Sequence, residues 1–159
     1  MNILNMIENV LSYHDKVLLE HFIKHRITCV VYGWILLETM FSEIFNKSDW
    51  QILFDNVFSN HPGFLIYLVV AYSVCNHNAL MLIKDSEDAK VLLFSYKIFN
   101  FKDKWHEIEF FKYFYQHQSS ISVKTILNEA LKMTKTTPQE IDPYKLINNF
   151  EPLPKGNLK

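Results

Sequence analysis

The sequence predicts an all-α domain, and three observations carry that expectation. Glycine occurs only at Gly33, Gly63 and Gly156, too few for an architecture of tight hairpins or for a phosphate-cradling loop, both of which need backbone freedom that glycine supplies. Apolar side chains return every three or four residues through most of the chain, the period that lays one stripe along a helix. Side chains that cap helices stand where one stripe stops and the next begins. With 159 residues, 49% of them apolar, the chain is long enough for one domain with its own core.

The elements follow in order. Ile3, Leu4, Ile7, Val10 and Leu11 share one face of a first helix, opposite Asn5, Glu8, Asn9 and Ser12. Asp15 is placed to cap a second, with Leu18, Leu19, Phe22 and Ile23 inward and Lys16, Glu20, Lys24 and His25 outward; the short connection makes the pair antiparallel. Thr28 to Phe45, TCVVYGWILLETMFSEIF, reads as one central helix with Trp34 as a large core anchor. Gly33 inside it forgoes about 1 kcal/mol of helix propensity, which predicts a close neighbour at its backbone. Ser48 and Gln51 have the spacing of a capping box, predicting a helix from about Asp49 with the stripe Trp50, Leu53, Phe54, Val57 and Phe58. Asn60-His61-Pro62-Gly63 breaks the chain before FLIYLVVAYSVC, Phe64 to Cys75. That run is too short for a bilayer, which needs about 20 apolar residues, so it is expected to be a buried core helix.

Lys84 to Asp88 reads as a charged loop, and Val91 to Phe99 is compatible with a buried helix, a hairpin strand or an insertion. Helical spacing returns from His106 to His117 and from Ser122 to Lys135, the latter through Ile126, Leu127, Ala130, Leu131 and Met133. Thr137, Pro138 and Glu140 have the pattern of a second capping box opening a short closing helix. Pro152, Pro154 and Gly156 mark residues 151–159 as a flexible tail.

Composition excludes several functions. Sixteen basic against seventeen acidic residues leave a net charge of -1, with no basic excess to draw a nucleic acid. Cys29 and Cys75, both in apolar segments, are expected to be buried free thiols. His21 and His25, four apart on one helix, have a zinc-compatible spacing but no HExxH context, and Cys75, His77 and His61 lack a second ligand pair; no metal or cofactor is expected. No GxSxG elbow is present. Glu38, Glu43, Asp49 and Asp55 are the candidate carboxylates. Asp49 falls in a first helical turn and Glu43 on a wet face, while Glu38 and Asp55, in the most apolar company, are expected to make structural hydrogen bonds.

Residues His21 to Tyr72 resemble the carboxy-terminal half of a TBC domain, the fold of Rab GTPase-activating proteins. His21-Phe22, Ile27, Tyr32, Trp34, Phe41-Ser42, Phe54-Asp55, Phe64-Leu65 and Ala71 fall on that family's pattern, with Phe54 where the family has tryptophan. NILNMIENVL, LLETMFSE, LFDNVFSNHPGFL and TTPQEI are similar to the WD-repeat-containing TBC subfamily of centrosomes, centriolar satellites and cilia, in which a coiled coil follows. The resemblance implies a multi-helix TBC-like half-domain over 2–150, with an insertion at about 82–106, and marks Trp34, Phe41, Trp50, Phe54 and Asp55 as architectural motif residues.

Active members of that family supply an arginine from IxxDxxR and a glutamine from YxQ, which stabilise transition-state charge and orient water. Neither motif occurs here: Arg26, the one arginine, lies in HRIT, and Tyr113 to Gln116 is Tyr-x-x-Gln. The implied role is a non-catalytic scaffold that binds a Rab-type GTPase or a centrosomal or ciliary protein. The resemblance also implies a cytoplasmic location, at a centrosome, satellite or cilium base. The alternative is the carboxy-terminal part of an active GTPase activator whose catalytic half lies upstream. As half of a domain, the chain is expected to expose an apolar face and self-associate.

Overall fold

The structure, a computed structural model, describes residues 2–42, 44–84 and 121–147. The expectations for 85–106, for a helix at His106–His117 and for the tail lie outside those residues. Among the described residues all regular structure is helical, in agreement with the all-α reading.

α1 (Ile3–His14) is capped by Asn2, whose Oδ1 accepts the Leu4 amide. Its inward stripe is Met6, Ile7, Val10 and Leu11. Asp15 caps α2 (Lys16–Lys24) as expected, its Oδ1 taking the Leu18 N–H at 3.0 Å. Of the predicted α2 face Leu18 and Phe22 are buried, whereas Ile23 is 68% exposed. α2 ends with Arg26 in the left-handed region, φ 57°. The Ile27 amide reaches back to Phe22 O and the Arg26 amide to Ile23 O, the paired bonds of a Schellman stop. The one arginine therefore occupies the position where helices usually carry glycine.

The single helix expected from Thr28 to Phe45 is instead broken twice. Val30–Trp34 is a π-helical turn, and α3 (Ile35–Thr39) follows it directly. Gly33 does face a close neighbour: a Cβ there would lie 2.9 Å from Cys29 Sγ and 3.2 Å from Ile7 Cδ1. With α1 seated on that glycine, Val31, Tyr32 and Gly33 form the buried side. Trp34 and Val30, four apart, are left outward at 45% and 53% exposure, so Trp34 is not the core anchor expected. The second break follows α3, where Met40 (φ 47°) and Phe41 (φ 63°) are both left-handed. Their amides bond Leu37 O and Leu36 O, a second Schellman stop. It turns Phe41 fully into the core.

α4 (Lys47–Ser59) begins earlier than Ser48–Gln51 predicts, because Asn46 is the cap: its Oδ1 accepts the Asp49 amide and its Nδ2 donates to Asp49 Oδ2. That reciprocal pair sets the cap two residues upstream of Ser48. After the Pro62-Gly63 turn, α5 (Phe64–Cys75) is the buried rod expected, with Phe64, Ile66, Tyr67, Leu68, Val69, Val70, Ala71 and Ser73 all inside. Ser73 satisfies its hydroxyl on Val69 O. α6 (His77–Leu80) is one turn. α7 (Val123–Thr136), capped by Ser122, buries Val123, Ile126, Leu127, Ala130 and Met133, leaving Leu131 38% exposed. α5 packs chiefly against α7 and α1, which places the core along its axis.

The closing helix starts later than Thr137-Pro138 predicts. Residues 138–141 form a turn, and α8 (Pro143–Leu146) is capped by Asp142, whose Oδ1 accepts the Tyr144 amide. The same oxygen accepts the Tyr67 hydroxyl at 2.7 Å. Burying the Tyr67 ring provides a strong reason for the cap to sit there, since a buried hydroxyl needs a partner. Thr137, freed from capping, bonds Met133 O.

Candidate functional site

The α3–α4 corner gathers most of the motif residues. Trp50, in the first turns of α4, donates its indole N–H to Met40 O at 2.9 Å. Phe41 lies with its ring 6.1 Å from Phe45 and 6.0 Å from Tyr72, edge-on to the latter. Left-handed backbone costs a non-glycine residue roughly 1–2 kcal/mol, so two in succession need support. Phe41 burial and the Trp50 bond supply it.

From Trp50 an aromatic ladder runs down α4. Trp50 and Phe54 have ring centroids 4.7 Å apart, Phe54 and Phe58 4.4 Å. Leu53 faces the core, Phe54 is half-buried, and Phe58 is 70% exposed. The ladder thus climbs out of the core to an aromatic tip at Phe58. Asp55 is exposed, as is Glu38, so neither sits in the apolar company expected for it. Asp49 spends its carboxylate on Asn46. The corner brings Phe41, Trp50 and Phe54 together, with Asp55 on the outer side and Trp34 on the exposed side of the π turn. Such a ridge offers ring area for contact with another protein, the kind of surface aromatic side chains favour.

Histidines elsewhere serve as staples. His21 Nε2 bonds Ile83 O and His25 Nδ1 bonds Lys84 O, each at 2.7 Å. Carbonyls only accept, so both nitrogens carry hydrogen. The two histidines of zinc-compatible spacing are therefore engaged in holding residues 83 and 84 against α2. His77 pairs with Asp15 Oδ2, and His61 Nδ1 accepts the Gly63 amide while its ring lies 4.7 Å from Tyr144. Among the described residues no group of three or more histidine, cysteine or acidic side chains has metal-binding geometry. Cys29 is buried and Cys75 half-buried, both free. Burial pushes the Cys29 thiol up to about 12, and it raises the Tyr32 phenol as well. Tyr32 Oη is enclosed with no hydrogen-bond partner of good geometry; the Cys29 thiol is its polar neighbour. A thiol so protonated is a poor nucleophile.

His14 supplies a pH-dependent contact. Thr137 donates its one hydroxyl hydrogen to Met133 O, so it accepts from His14 Nε2 at 2.8 Å. Burial holds the His14 pKa below its ordinary value, with Glu129 opposing and Lys132 reinforcing the shift. The unfolded chain then takes up this proton first as pH falls. The stabilisation is complete above about 6.5, the ordinary histidine value, and is lost as pH falls through the depressed folded value. Thermal melts between pH 8 and 5 should show a shallower acid decline for His14→Gln than for the parent; equal slopes would refute the assignment.

No protein-family model matches the chain, and no solved structure is significantly similar to it. Curated relatives are found along nearly the whole length. A protein named TBC1 domain family member 31 from Bos taurus is 41% identical over 156 residues, 98% of this chain and 13% of the relative. Its namesakes from Homo sapiens and Xenopus laevis are 40% and 38% identical over the same 98%, covering 13% and 12% of those proteins. The chain thus spans about an eighth of the length of the relatives it matches.

Proposed function

We propose that this chain, whose similarity to a segment of proteins named TBC1 domain family member 31 supports a TBC-like domain related to Rab GTPase activators, works as a non-catalytic, partner-binding unit. The carrying observation is the Trp50–Phe54–Phe58 ladder, which puts an aromatic tip in solvent on a helix anchored at its other end. A ring held by its neighbours binds with little loss of side-chain freedom, which favours affinity. The partner is a Rab-type GTPase, or a centrosomal or ciliary protein, met in the cytoplasm at a centrosome, satellite or cilium base. The chain's own sequence offers neither IxxDxxR nor YxQ, so binding proceeds without assistance to hydrolysis.

Single-turnover GTP hydrolysis by a panel of Rab proteins is the test, run beside a binding titration of the same panel and of centriolar-satellite proteins. Expected are unchanged hydrolysis rates and, for the bound partner, a loss of about tenfold in affinity with Phe58→Ala, a typical effect for an aromatic anchor. Stimulation of hydrolysis by about tenfold or more would sink the non-catalytic reading. The second reading, a carboxy-terminal part of an active GTPase activator, is favoured by one observation: the relatives extend far beyond the matched segment. It requires that a longer polypeptide containing this segment accelerate hydrolysis and lose that ability when the segment is removed.

A further inference from the structure

We propose that the α3–α4 corner is a sprung hinge and that Trp50 is its latch. Met40 and Phe41 hold left-handed backbone with no glycine at either position, between α3, which ends at Thr39, and α4, which begins at Lys47. Three contacts keep the chain in that conformation. The indole of Trp50 donates to the carbonyl of Met40, the first strained residue. The Phe41 ring, fully buried, is held by Phe45 and Tyr72. The Phe41 carbonyl accepts the amides of Ile44 and Phe45.

Trp50 differs from the other two contacts in kind. Phe41 sits inside the core and opens only when the core does, whereas Trp50 is half-buried on α4 and holds the corner through one hydrogen bond. Its other ring neighbour is Phe54, the middle of the ladder. Breaking the indole bond lets the left-handed pair relax toward helix, the conformation that the surrounding sequence favours, and frees α4 to change its angle to α3. Latch and ladder share a residue, so whatever engages the ladder acts on the hinge. That last consequence rests on the binding role proposed above; the hinge itself does not.

Amide hydrogen exchange on the isolated chain separates the two. Trp50→Phe keeps a ring and removes the donor, and should speed exchange at the bonded amides of Phe41, Ile44 and Phe45 by about fivefold, the scale of one hydrogen bond. Leu68 and Val69 in the α5 core should change much less. Met40→Gly removes the left-handed penalty and should slow the same three amides by about fivefold. The double variant should return toward the parent. The hinge is overturned if Trp50→Phe leaves the corner amides unchanged or speeds them no more than the α5 amides, or if Met40→Gly fails to slow them. Should Trp50→Phe not fold, Met40→Gly decides alone. No partner is present in these measurements, so failure of the binding role leaves their outcome untouched.

Discussion

Phe41→Ala is expected to destabilise the fold by about 3–5 kcal/mol, the range for deleting a fully buried phenylalanine. The ring has no exposed surface and bridges the corner to α5 through Tyr72, so its removal leaves a cavity between two elements. Alanine gains nothing in return, since it must take the same left-handed backbone, φ 63°, at a penalty similar to that of phenylalanine. In a domain whose total stability is of the order of 5–15 kcal/mol, that loss takes away a large share. Denaturant melts would show the midpoint fall sharply. Trp34→Ala is the internal comparison: it removes more atoms but from a side chain 45% exposed, and should cost clearly less. If the two variants lose equal stability, the placement of the π turn and of the corner that follows it is wrong.

The contrast between those two residues shows what was legible in the sequence. Helical stripes located α1, α2 and α7, each an amphipathic segment with one buried face; α5 was legible instead as a continuous apolar run after the Pro62-Gly63 break, and it is buried between α7 and α1. The same pattern failed from Thr28 to Phe45. A continuous apolar run gives no phase, so nothing local distinguishes one long helix from a π turn, a short α-helix and a left-handed stop. Non-glycine residues in that stop removed the usual punctuation signal. Two of the predicted caps were displaced for a related reason. Ser48–Gln51 and Thr137–Glu140 fit the capping pattern, yet Asn46 and Asp142 stand nearby with side chains that cap as well. At α8 the deciding contact is Tyr67, 75 residues away. The aromatic members of the candidate site were named from the sequence, but their exposure was not. Whether Phe58 and Trp34 face solvent depends on which side of each helix its neighbours leave open.

Gly63→Ala is the second large effect, and here two opposing terms have to be weighed. Gly63 has φ -59° and ψ -16°, a helical conformation that alanine adopts freely, so on backbone grounds alone the substitution should stabilise by about 0.4–1 kcal/mol through the unfolded state. Space decides otherwise. A Cβ at Gly63 would lie 2.9 Å from Tyr144 Cδ1, 3.0 Å from the Pro143 carbonyl carbon and 3.1 Å from Pro143 Cβ. Two of those atoms belong to a proline at the first position of α8, whose ring fixes φ and whose backbone cannot step aside without moving the helix. Overpacking of this kind costs about 1–3 kcal/mol. Relief requires α8 to lift from the Pro62-Gly63 turn, which pulls Asp142 from the Tyr67 hydroxyl and leaves a buried donor without its acceptor. The net expectation is a loss of about 1–3 kcal/mol in equilibrium unfolding, with faster proteolysis in residues 138–147 than in α5. Tyr67→Phe supplies the discriminating measurement. It removes the stranded hydroxyl, so in its background Gly63→Ala should cost less than in the parent; full additivity of the two substitutions would show that α8 does not move to accommodate the methyl group.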